Sequence, residues 1–336
     1  MRGCAACIVP RLCIRMPVMT TAPDFAAIEA AAARIAPHVQ CTPVLRSRSL
    51  DALAGAQLFF KCEHLQRAGA FKFRGACNAV WSLDDEEARR GVVTHSSGNH
   101  GAALALAART RGVAAHVVVP EDAVKTKLDA IAAYGATLHA CAPTTRAREQ
   151  AAAQVQARTG AILVHPYTDP RVIAGQGTAA LELFDEVDLL DVVITPVGGG
   201  GLASGSAIAA RAINPGVALF AAEPAGAADA YESLRRGERV TDIQSDTICD
   251  GLRATIGAIN LDLLRRHAVE VLPVADSDTL AAMKLLWQRL KQLVEPSSAT
   301  VLAAVLAHPG RFAGRRVGVI LSGGNVDPGF FCQRSL

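Results

Sequence analysis

Short apolar runs alternate with longer segments rich in alanine and leucine along most of the chain, and this pattern predicts β-strands connected by helices. Most of the helices predicted between residues 91 and 166 are followed by a glycine, a residue that often ends a helix. The elements predicted in this region are strands at 92–95, 115–119, 137–140 and 162–164 and helices at 99–111, 124–134 and 144–158. Short strands that alternate with helices indicate a small parallel sheet with right-handed connections.

Apolar runs in the rest of the chain predict a second sheet. The helix predicted first lies at 24–39, and the strands predicted outside the small sheet are 58–61, 192–195, 218–222, 269–274 and 317–321. The later runs are apolar almost throughout, which is typical of parallel strands covered by helices on both faces. The sequence therefore predicts an α/β fold with two open, twisted parallel-sheet domains.

Ligands of open α/β sheets bind at the carboxyl ends of the strands. Three segments rich in glycine or serine directly follow predicted strands, at 96–101, 198–201 and 322–324. We therefore expect the functional site to be built from these segments.

Composition limits the class of protein. Hydrophobic residues make up 51% of the 336 residues and charged residues 19%, which excludes a disordered chain, and a net charge of +3 gives no nucleic-acid-binding footprint. Nine irregularly spaced cysteines indicate reduced thiols. The uncharged stretch at 192–210 contains a proline and four consecutive glycines, so it predicts a strand, a loop and a helix start and no membrane span. We expect a cytoplasmic protein with a small-molecule ligand and no nucleic-acid or membrane partner.

Four consecutive glycines, Gly198, Gly199, Gly200 and Gly201, lie between a predicted strand and a predicted helix. Their main-chain N–H groups can surround an anion, and the dipole of the following helix adds a favourable field. The pattern favours a phosphate-binding loop over a flexible turn. Ordering four glycines on folding costs more conformational entropy than ordering the residues of an ordinary turn, so such a run is expected only where it has a function. Glu223 ends the next strand, as the ribose-binding acid of a dinucleotide site would, but the loop lacks the G-x-G-x-x-G spacing of that site.

Lys72 lies between two aromatic residues, Phe71 and Phe73. Such neighbours can withdraw an amine from water, lower its pKa and make it a better nucleophile. A lysine on a helix surface, with its stem packed on apolar groups, is the alternative.

A polar loop follows the strand at 92–95 and opens a helix. Its main-chain N–H groups and hydroxyls are suited to binding a carboxylate. The alternative is that Ser97 or Asn99 only caps the helix. His95 and His100 flank the loop, and histidines near a helix start are more often hydrogen-bonded structural groups than metal ligands.

Together, four segments resemble the fold-type II pyridoxal-phosphate (PLP) enzymes, and within them the group of serine/threonine dehydratases and serine racemases. The segments are 69–76 (GAFKFRGA), 94–101 (THSSGNHG), 196–201 (PVGGGG) and 321–327 (LSGGNVD), and the resemblance extends over residues 24–328. It implies a tryptophan synthase β-like fold, bound PLP, an amino-acid substrate and a homodimer.

The resemblance also implies how the chain is divided. Residues 21–85 and 170–336 would form a large PLP-binding domain, and residues 86–169 a small domain that carries the substrate loop. Residues 1–20 contain three arginines and no apolar run of the length that a signal peptide needs, so we expect them to form a disordered extension.

Each motif implies a role by resemblance. Lys72 would bind PLP covalently and later remove the Cα proton of the substrate, while Phe71 would lie against the PLP ring. The four glycines would bind the phosphate, Asn99 would hydrogen-bond the ring hydroxyl, and Ser322 would face the pyridine nitrogen. The residues expected to bind the substrate carboxylate are Ser96, Ser97, Gly98, Asn99 and His100.

Two further sites are implied in the same way. Glu223 and Asp229, with the carbonyl of Ala227, match the divalent-cation site of this group, and two carboxylates with a carbonyl are suited to Mg²⁺ or Ca²⁺. Arg148 aligns with an arginine that binds the distal carboxylate in relatives acting on 3-hydroxyaspartate. The alternatives are a solvated pair of loop acids and a solvated helix arginine.

The resemblance implies PLP-dependent elimination of water from L-threonine or L-serine, giving a 2-keto acid and ammonia. The hydroxyl of Ser322 would leave the pyridine nitrogen largely neutral, whereas an aspartate would keep it protonated and make the ring a stronger electron sink. Poorly stabilised negative charge at Cα favours elimination, because departure of the β-hydroxyl relieves that charge. The predicted activity is therefore that of a threonine/serine ammonia-lyase.

Three alternatives stay open. Ser97 stands where the racemase branch has the serine that moves the second proton, so serine racemase is the first of them. The second is threo-3-hydroxyaspartate ammonia-lyase. The third is a non-catalytic PLP-binding protein, against which the intact Lys72 argues.

Overall fold

The computed structural model describes residues 21–327 and 329–330 and contains two β-sheets with helices packed around them. The α/β class with two parallel sheets is confirmed. Residues 1–20, for which a disordered extension is predicted, lie outside the described part of the chain.

The structure has ten strands and fourteen α-helices within these residues. The strands are Val44–Leu45 (β1), Gln57–Cys62 (β2), Val92–His95 (β3), Ala115–Pro120 (β4), Thr137–Cys141 (β5), Ile162–Leu163 (β6), Val192–Pro196 (β7), Ala218–Pro224 (β8), Glu270–Val274 (β9) and Arg316–Leu321 (β10). The helices are Phe25–Ile35 (α1), Arg48–Ala54 (α2), Lys72–Trp81 (α3), Asp85–Arg90 (α4), Asn99–Arg111 (α5), Lys125–Ala133 (α6), Thr145–Thr159 (α7), Pro170–Glu186 (α8), Gly201–Ile213 (α9), Asp229–Arg236 (α10), Ala258–Arg266 (α11), Asp276–Leu285 (α12), Pro296–Ala307 (α13) and Pro309–Phe312 (α14). A π-helical turn, Leu286–Leu290, follows α12.

The larger sheet has six strands in the order β1-β2-β10-β7-β8-β9. Only β1 runs antiparallel to its neighbour, and all other pairs are parallel. The smaller sheet has the order β5-β4-β3-β6 and is parallel throughout. Because β10 lies between β2 and β7, the segments that follow these three strands start from one edge of the larger sheet.

Most predicted elements agree with the structure to within two residues at each end. The first helix is an exception, since it ends at Ile35 instead of residue 39. Ala36 caps the helix, and Pro37, which has no N–H to donate, comes next and limits it. Helices α2, α3 and α4 were not among the predicted elements, although α4 carries a local signal, the capping box formed by Asp84 and Glu87.

Helices α3, α8 and α9 contact each other through glycines. A Cβ atom at Gly175 would lie 2.6 Å from the Cα of Gly75, and one at Gly205 would lie 2.6 Å from the nitrogen of Gly177. We call these four residues the glycine seam. Backbone contact along the seam fixes the position of α3, the helix that begins at Lys72.

A buried ionic network also holds α3. Arg74 is fully buried and donates to Glu63 at 2.7 Å and to Glu182 at 2.6 Å. The buried amine of Lys61 lies 2.9 Å from the same Glu182. Removing one member of such a buried pair costs about 3–5 kcal/mol, because the remaining charge stays buried without its partner. The network therefore connects α3 firmly to β2 and α8.

Among the described residues, no helix combines the length and the apolar character needed to cross a bilayer. The cysteines of the described residues are free thiols, and they are Cys41, Cys62, Cys77, Cys141 and Cys249.

Candidate active site

The segments that follow β2 and β10 are hydrogen-bonded to each other. The N–H of Phe71 donates to the carbonyl of Ser322 at 2.9 Å, and the N–H of Gly324 donates to that of Gly69 at 2.9 Å. An isolated β-bridge between Ala70 and Gly323 lies between these bonds. The chain thus holds the start of α3 beside the Ser322 segment, as the resemblance requires of a PLP site. The residue itself, Ser322, is 2% exposed.

The amine of Lys72 is the nucleophile candidate of this site. It donates to the carbonyl of Pro166 at 3.0 Å and lies 5.1 Å from the centre of the Phe71 ring. Burial lowers the pKa of this amine to about 8, and the carboxylate of Glu295 opposes that shift. A lowered pKa gives a larger neutral fraction near pH 7, so the amine is suited to covalent bond formation.

The four glycines follow β7 and lead into α9, and all four are buried. Gly200 has φ +93°, a conformation that few residues other than glycine adopt. A Cβ at Gly198 would lie 2.9 Å from the Cα of Leu252, and a Cβ at Gly199 would collide with the ring of Tyr167. The N–H groups at the start of α9 have no partner within the helix, so this loop fits an anionic group such as a phosphate.

The polar loop lies between β3 and α5. The Oγ of Ser96 accepts the N–H of Gly98 at 3.4 Å, which turns the loop back on itself. A Cβ at Gly101 would clash with the carbonyl of Ser96. His100 is 2% exposed, and its Nε2 lies 3.3 Å from the carbonyl of Val164. Its imidazole is therefore engaged in the interior, and the main-chain N–H is the group of His100 that remains for a carboxylate.

Asn99, the first residue of α5, connects the loop to the larger sheet. Its Nδ2 donates to both carboxylate oxygens of Glu295, at 3.0 and 3.1 Å, and its Oδ1 accepts from Nδ2 of Asn325 at 2.9 Å. Sequence reasoning gave no role to Glu295. The Glu-Pro pair at 295–296 shows only that a helix starts there, and no local signal places its carboxylate beside a residue 196 positions away.

A second polar cluster lies next to the lysine. The ring of His165 is 5.1 Å from that of His95 and 4.6 Å from that of Tyr167, in edge-on contacts. Its Nδ1 accepts the N–H groups of Tyr167 and Thr168 at 3.4 and 3.2 Å, so the proton of the neutral ring is on Nε2. Burial lowers the pKa of His165 to about 3 and also lowers that of His95, which keeps both rings neutral at pH 7.

Arg148, in the first turn of α7, brings positive charge to this cluster. Burial lowers the pKa of His95, the charge of Glu149 opposes that shift, and the charge of Arg148 adds to it. Burial raises the pKa of Tyr167, and the charges of Glu149 and Arg148 again act in opposite directions. One Nη atom donates to Thr145 at 3.3 Å, whereas the buried Nε has no hydrogen-bond partner among the described residues. A buried donor without an acceptor is costly, so the arrangement has capacity for a further anionic group.

The predicted cation ligands are also brought together. Glu223 is fully buried and Asp229 is 2% exposed. The N–H groups of Ala230 and Tyr231 each donate to Glu223 at 2.9 Å, and that of Ile256 donates to Asp229 at 2.6 Å.

Burial raises the pKa of Glu223 to about 8 and that of Asp229 to about 6, and the charge of Asp229 adds to the shift of Glu223. No group of three or more His, Cys, Asp or Glu side chains suited to a metal occurs in the described part of the chain. A cation here would depend on these two carboxylates and the buried residue Ala227, and that donor set fits a hard cation such as Mg²⁺ or Ca²⁺.

Comparison with known proteins gives a consistent result. Residues 35–323 match a family model described as pyridoxal-phosphate dependent enzyme. The chain is 49% identical to a serine racemase of Dictyostelium discoideum over 304 residues, which is 89% of this chain and 94% of that protein. It is 48% identical to a beta-hydroxyaspartate dehydratase of Paracoccus denitrificans over 305 residues, covering 91% and 97% of the two chains. The solved structure of a threonine deaminase from T.th. matches with a TM-score of 0.86 and 41% identity, over 91% of this chain and 99% of that one.

Proposed function

Because the chain belongs to the family of pyridoxal-phosphate-dependent enzymes, in the group of serine racemases and hydroxy-amino-acid dehydratases, we propose that it eliminates water from 3-hydroxyaspartate. The products are ammonia and the corresponding 2-keto acid. The observation that supports this substrate over threonine and serine is the unpartnered Nε of Arg148, whose charge acts on the neutral His95 that contacts His165. The similarity to the Paracoccus dehydratase points the same way.

PLP, when bound, withdraws electrons from the Cα of an amino acid and so makes its proton removable. Lys72 is the base in this proposal, because its amine is buried and has a lowered pKa. The proton leaves Cα, the bond between Cβ and the hydroxyl breaks, and the hydroxyl takes up a proton and leaves as water. The resulting enamine tautomerises and is hydrolysed, which releases ammonia.

The remaining residues orient the substrate and the cofactor. The main-chain N–H groups and hydroxyls at 96–100 would bind the α-carboxylate, and the four glycines at 198–201 would bind the cofactor phosphate. Asn99 would bond the ring hydroxyl, Phe71 would lie against the ring, and Ser322 would face its nitrogen with a neutral hydroxyl. Arg148, with the Nε2–H of His165, binds the second carboxylate of the substrate, and Arg is the residue best suited to that task.

Release of 2-keto acid from L-threo-3-hydroxyaspartate, L-serine and L-threonine tests the substrate. We expect the highest kcat/KM with 3-hydroxyaspartate. In Arg148→Ala that value should fall about 10- to 100-fold, the loss expected when one charge-assisted contact is removed. Turnover of serine, which has no second carboxylate, should change less than about threefold by the same reasoning.

Arg146→Ala is the matched control, since Arg146 is an exposed arginine of the same helix turn and should leave both substrates unaffected. Faster turnover of threonine or serine by the native enzyme, with no preference lost in Arg148→Ala, would replace this proposal by the threonine/serine ammonia-lyase activity.

We further propose that Glu223, Asp229 and the carbonyl of Ala227 bind Mg²⁺ or Ca²⁺. Two carboxylates with raised pKa values lie close enough for one to shift the pKa of the other, and a divalent cation would stabilise the ionised form of both. The cation would act on the position of α10, away from the reacting atoms.

A further inference from the structure

Asn99 is held in one orientation by partners at both ends of its amide. In its ionised form the carboxylate of Glu295 can only accept, so it fixes the Nδ2 end, and the Nδ2 of Asn325 can only donate, so it fixes the Oδ1 end. Asn325 is itself fixed, because its Nδ2 also donates to the carbonyl of Ala68 at 2.8 Å. A turned-over Asn99 amide would place oxygen against a carboxylate and N–H against N–H.

Glu295, which fixes the Nδ2 end of the Asn99 amide, is itself buried and held in place. It is 4% exposed, and its N–H donates to the carbonyl of Gly323, next to Ser322, at 3.1 Å. A Cβ at Gly323 would lie 2.7 Å from Oε1, so the carboxylate packs directly against the segment after β10. Its charge opposes the lowering of the Lys72 pKa by burial, so the carboxylate also acts electrostatically on the amine.

We propose that Glu295 is a positioning residue of the cofactor site, which turns the Asn99 amide so that an N–H, and never the carbonyl oxygen, is offered to an oxygen of bound PLP. The Nδ2 atom has two hydrogens. One is shared between the two carboxylate oxygens of Glu295, and the other is free for the cofactor. This role depends on the PLP chemistry of the family and is independent of which hydroxy amino acid is the substrate.

The constraint also joins the two sheets. Asn99 starts the helix that follows β3 of the smaller sheet, whereas Glu295 precedes α13 and Asn325 follows β10 of the larger one. The amide is therefore oriented only when both parts of the molecule are in contact, and the cofactor oxygen finds a donor only in that arrangement.

The test uses PLP binding to the purified apoenzyme, followed by visible absorption, with four variants. Glu295→Leu removes the acceptor, and the dissociation constant of PLP should rise about 10- to 100-fold, as for loss of one hydrogen bond to a charged group. Glu295→Gln keeps one acceptor and should lose less. Asn325→Asp places a second carboxylate against Asn99, so it should weaken PLP binding and shift the absorption maximum. Asn325→Ala only removes one anchor and should change the affinity less than about threefold.

Asn325 is exposed, so its variants should fold even if the buried Glu295→Leu does not. Gln288→Glu, which adds one negative charge at another exposed position, is the charge control and should bind PLP as the native chain does.

A double-mutant cycle with Asn99→Ala separates positioning from direct action. The cycle is measured at pH 9.5, where the amine of Lys72 is largely neutral with or without the Glu295 charge. If Glu295 acts through Asn99, then Glu295→Gln has no further effect on PLP affinity or spectrum at that pH once Asn99 is alanine. An equal loss in both backgrounds, or an unchanged spectrum and affinity in Asn325→Asp, would overturn the proposal.

Discussion

The pKa of the Lys72 amine depends on two opposing effects, burial and the charge of the Glu295 carboxylate. Burial is the larger effect and lowers its pKa to about 8. Only the neutral amine can attack PLP. The rate at which the apoenzyme captures PLP should therefore rise about tenfold per pH unit below pH 8 and become constant above it.

Stopped-flow absorbance after mixing apoenzyme with PLP between pH 6 and 9.5 measures this profile. Glu295→Gln should move the break to lower pH, because the charge that raises the lysine pKa is gone. A break near pH 10 would mean that the amine is as solvated as a free lysine.

Ser97 belongs to the 96–100 loop that is proposed to bind the α-carboxylate. It is also the candidate for a second base. If it moves a proton on the face opposite Lys72, Ser97→Ala should lower racemisation of serine about 100-fold or more, the effect expected of a general acid–base group. Elimination from the L-substrate should persist, since Lys72 alone removes that proton.

Chiral chromatography of serine together with 2-keto acid release measures the two activities. Ser96→Ala is the comparison, because a residue that only binds the carboxylate lowers both activities together. Equal loss of both in Ser97→Ala would show that Ser97 has the same role as its neighbour.

Individual residues differed in how far the sequence could predict them. Lys72, the four glycines and the 96–100 loop are local motifs, and the fold places each of them at a strand end or a helix start. Glu295 acts through Asn99, which is distant in sequence, and His165 contacts the ring of His95, which is also distant, so no local pattern reveals their roles. Their importance depends on burial and on tautomer, which are properties of the packed site.

At the level of elements, the end of β8 and the start of α10 carry the proposed cation site. Without a cation, Glu223 has a folded pKa of about 8, above its ordinary 4.5. A carboxyl with a raised folded pKa stabilises the fold below its unfolded pKa, and that contribution is lost as the pH rises through the folded value. In EDTA, the part of the free energy of unfolding that depends on Glu223, measured as the native chain minus Glu223→Gln, should therefore fall between about pH 5 and pH 8. Buried neutral histidines such as His165 contribute with the opposite sign up to about pH 6.5, and they cancel in that difference.

Thermal unfolding across this pH range, with EDTA or with Mg²⁺ or Ca²⁺, tests the expectation. Added cation should restore stability most at the upper end, and Glu223→Gln should flatten the dependence and abolish the cation effect. Glu295, whose pKa burial raises to about 7, contributes with the same sign and is still present in that variant, so the difference between the curves isolates Glu223. Identical curves with EDTA and with cation would remove the site.

Elements were predicted well where one signal dominates. The buried strands β7, β8 and β10 are continuous apolar runs, and α5 ends at a glycine in the left-handed conformation. Helix α3 was not predicted, because it contains an internal glycine and a buried arginine that are unfavourable in isolation. Both residues are explained by the packing of α3 on α8. Gly75 allows the two helices to come into close contact, and Glu182 of α8 pairs with Arg74.

At the level of the whole molecule, few polar contacts of the site join the two sheets. Lys127 on α6 forms an ion pair with Asp250, and both line a cavity of about 800 Å³ together with Asn99 and Asn325. The two side chains are 36% and 41% exposed, so the pair should contribute less than about 1 kcal/mol to the free energy of unfolding.

Reversing one charge should nevertheless matter for function, because repulsion separates the parts that the site needs together. Lys127→Asp or Asp250→Lys should raise KM about two- to fivefold with little change in unfolding temperature, and the double exchange should restore KM. Steady-state kinetics and thermal unfolding of the three variants give both quantities. A double variant as impaired as the single ones would show that the pair has no role in bringing the sheets together.

The glycine seam has a practical consequence for protein engineering. Replacing glycine by alanine commonly stabilises a protein by about 0.4–1 kcal/mol, through a less flexible unfolded chain. At the seam positions, Gly75, Gly175, Gly177 and Gly205, the added methyl would push apart helices already at backbone contact, at a cost of about 1–3 kcal/mol or more, and would shift the lysine with them. A programme to raise the thermal stability of this enzyme should leave these four glycines unchanged. The first glycine to replace by alanine is Gly310, where a methyl group would meet nothing within 4 Å.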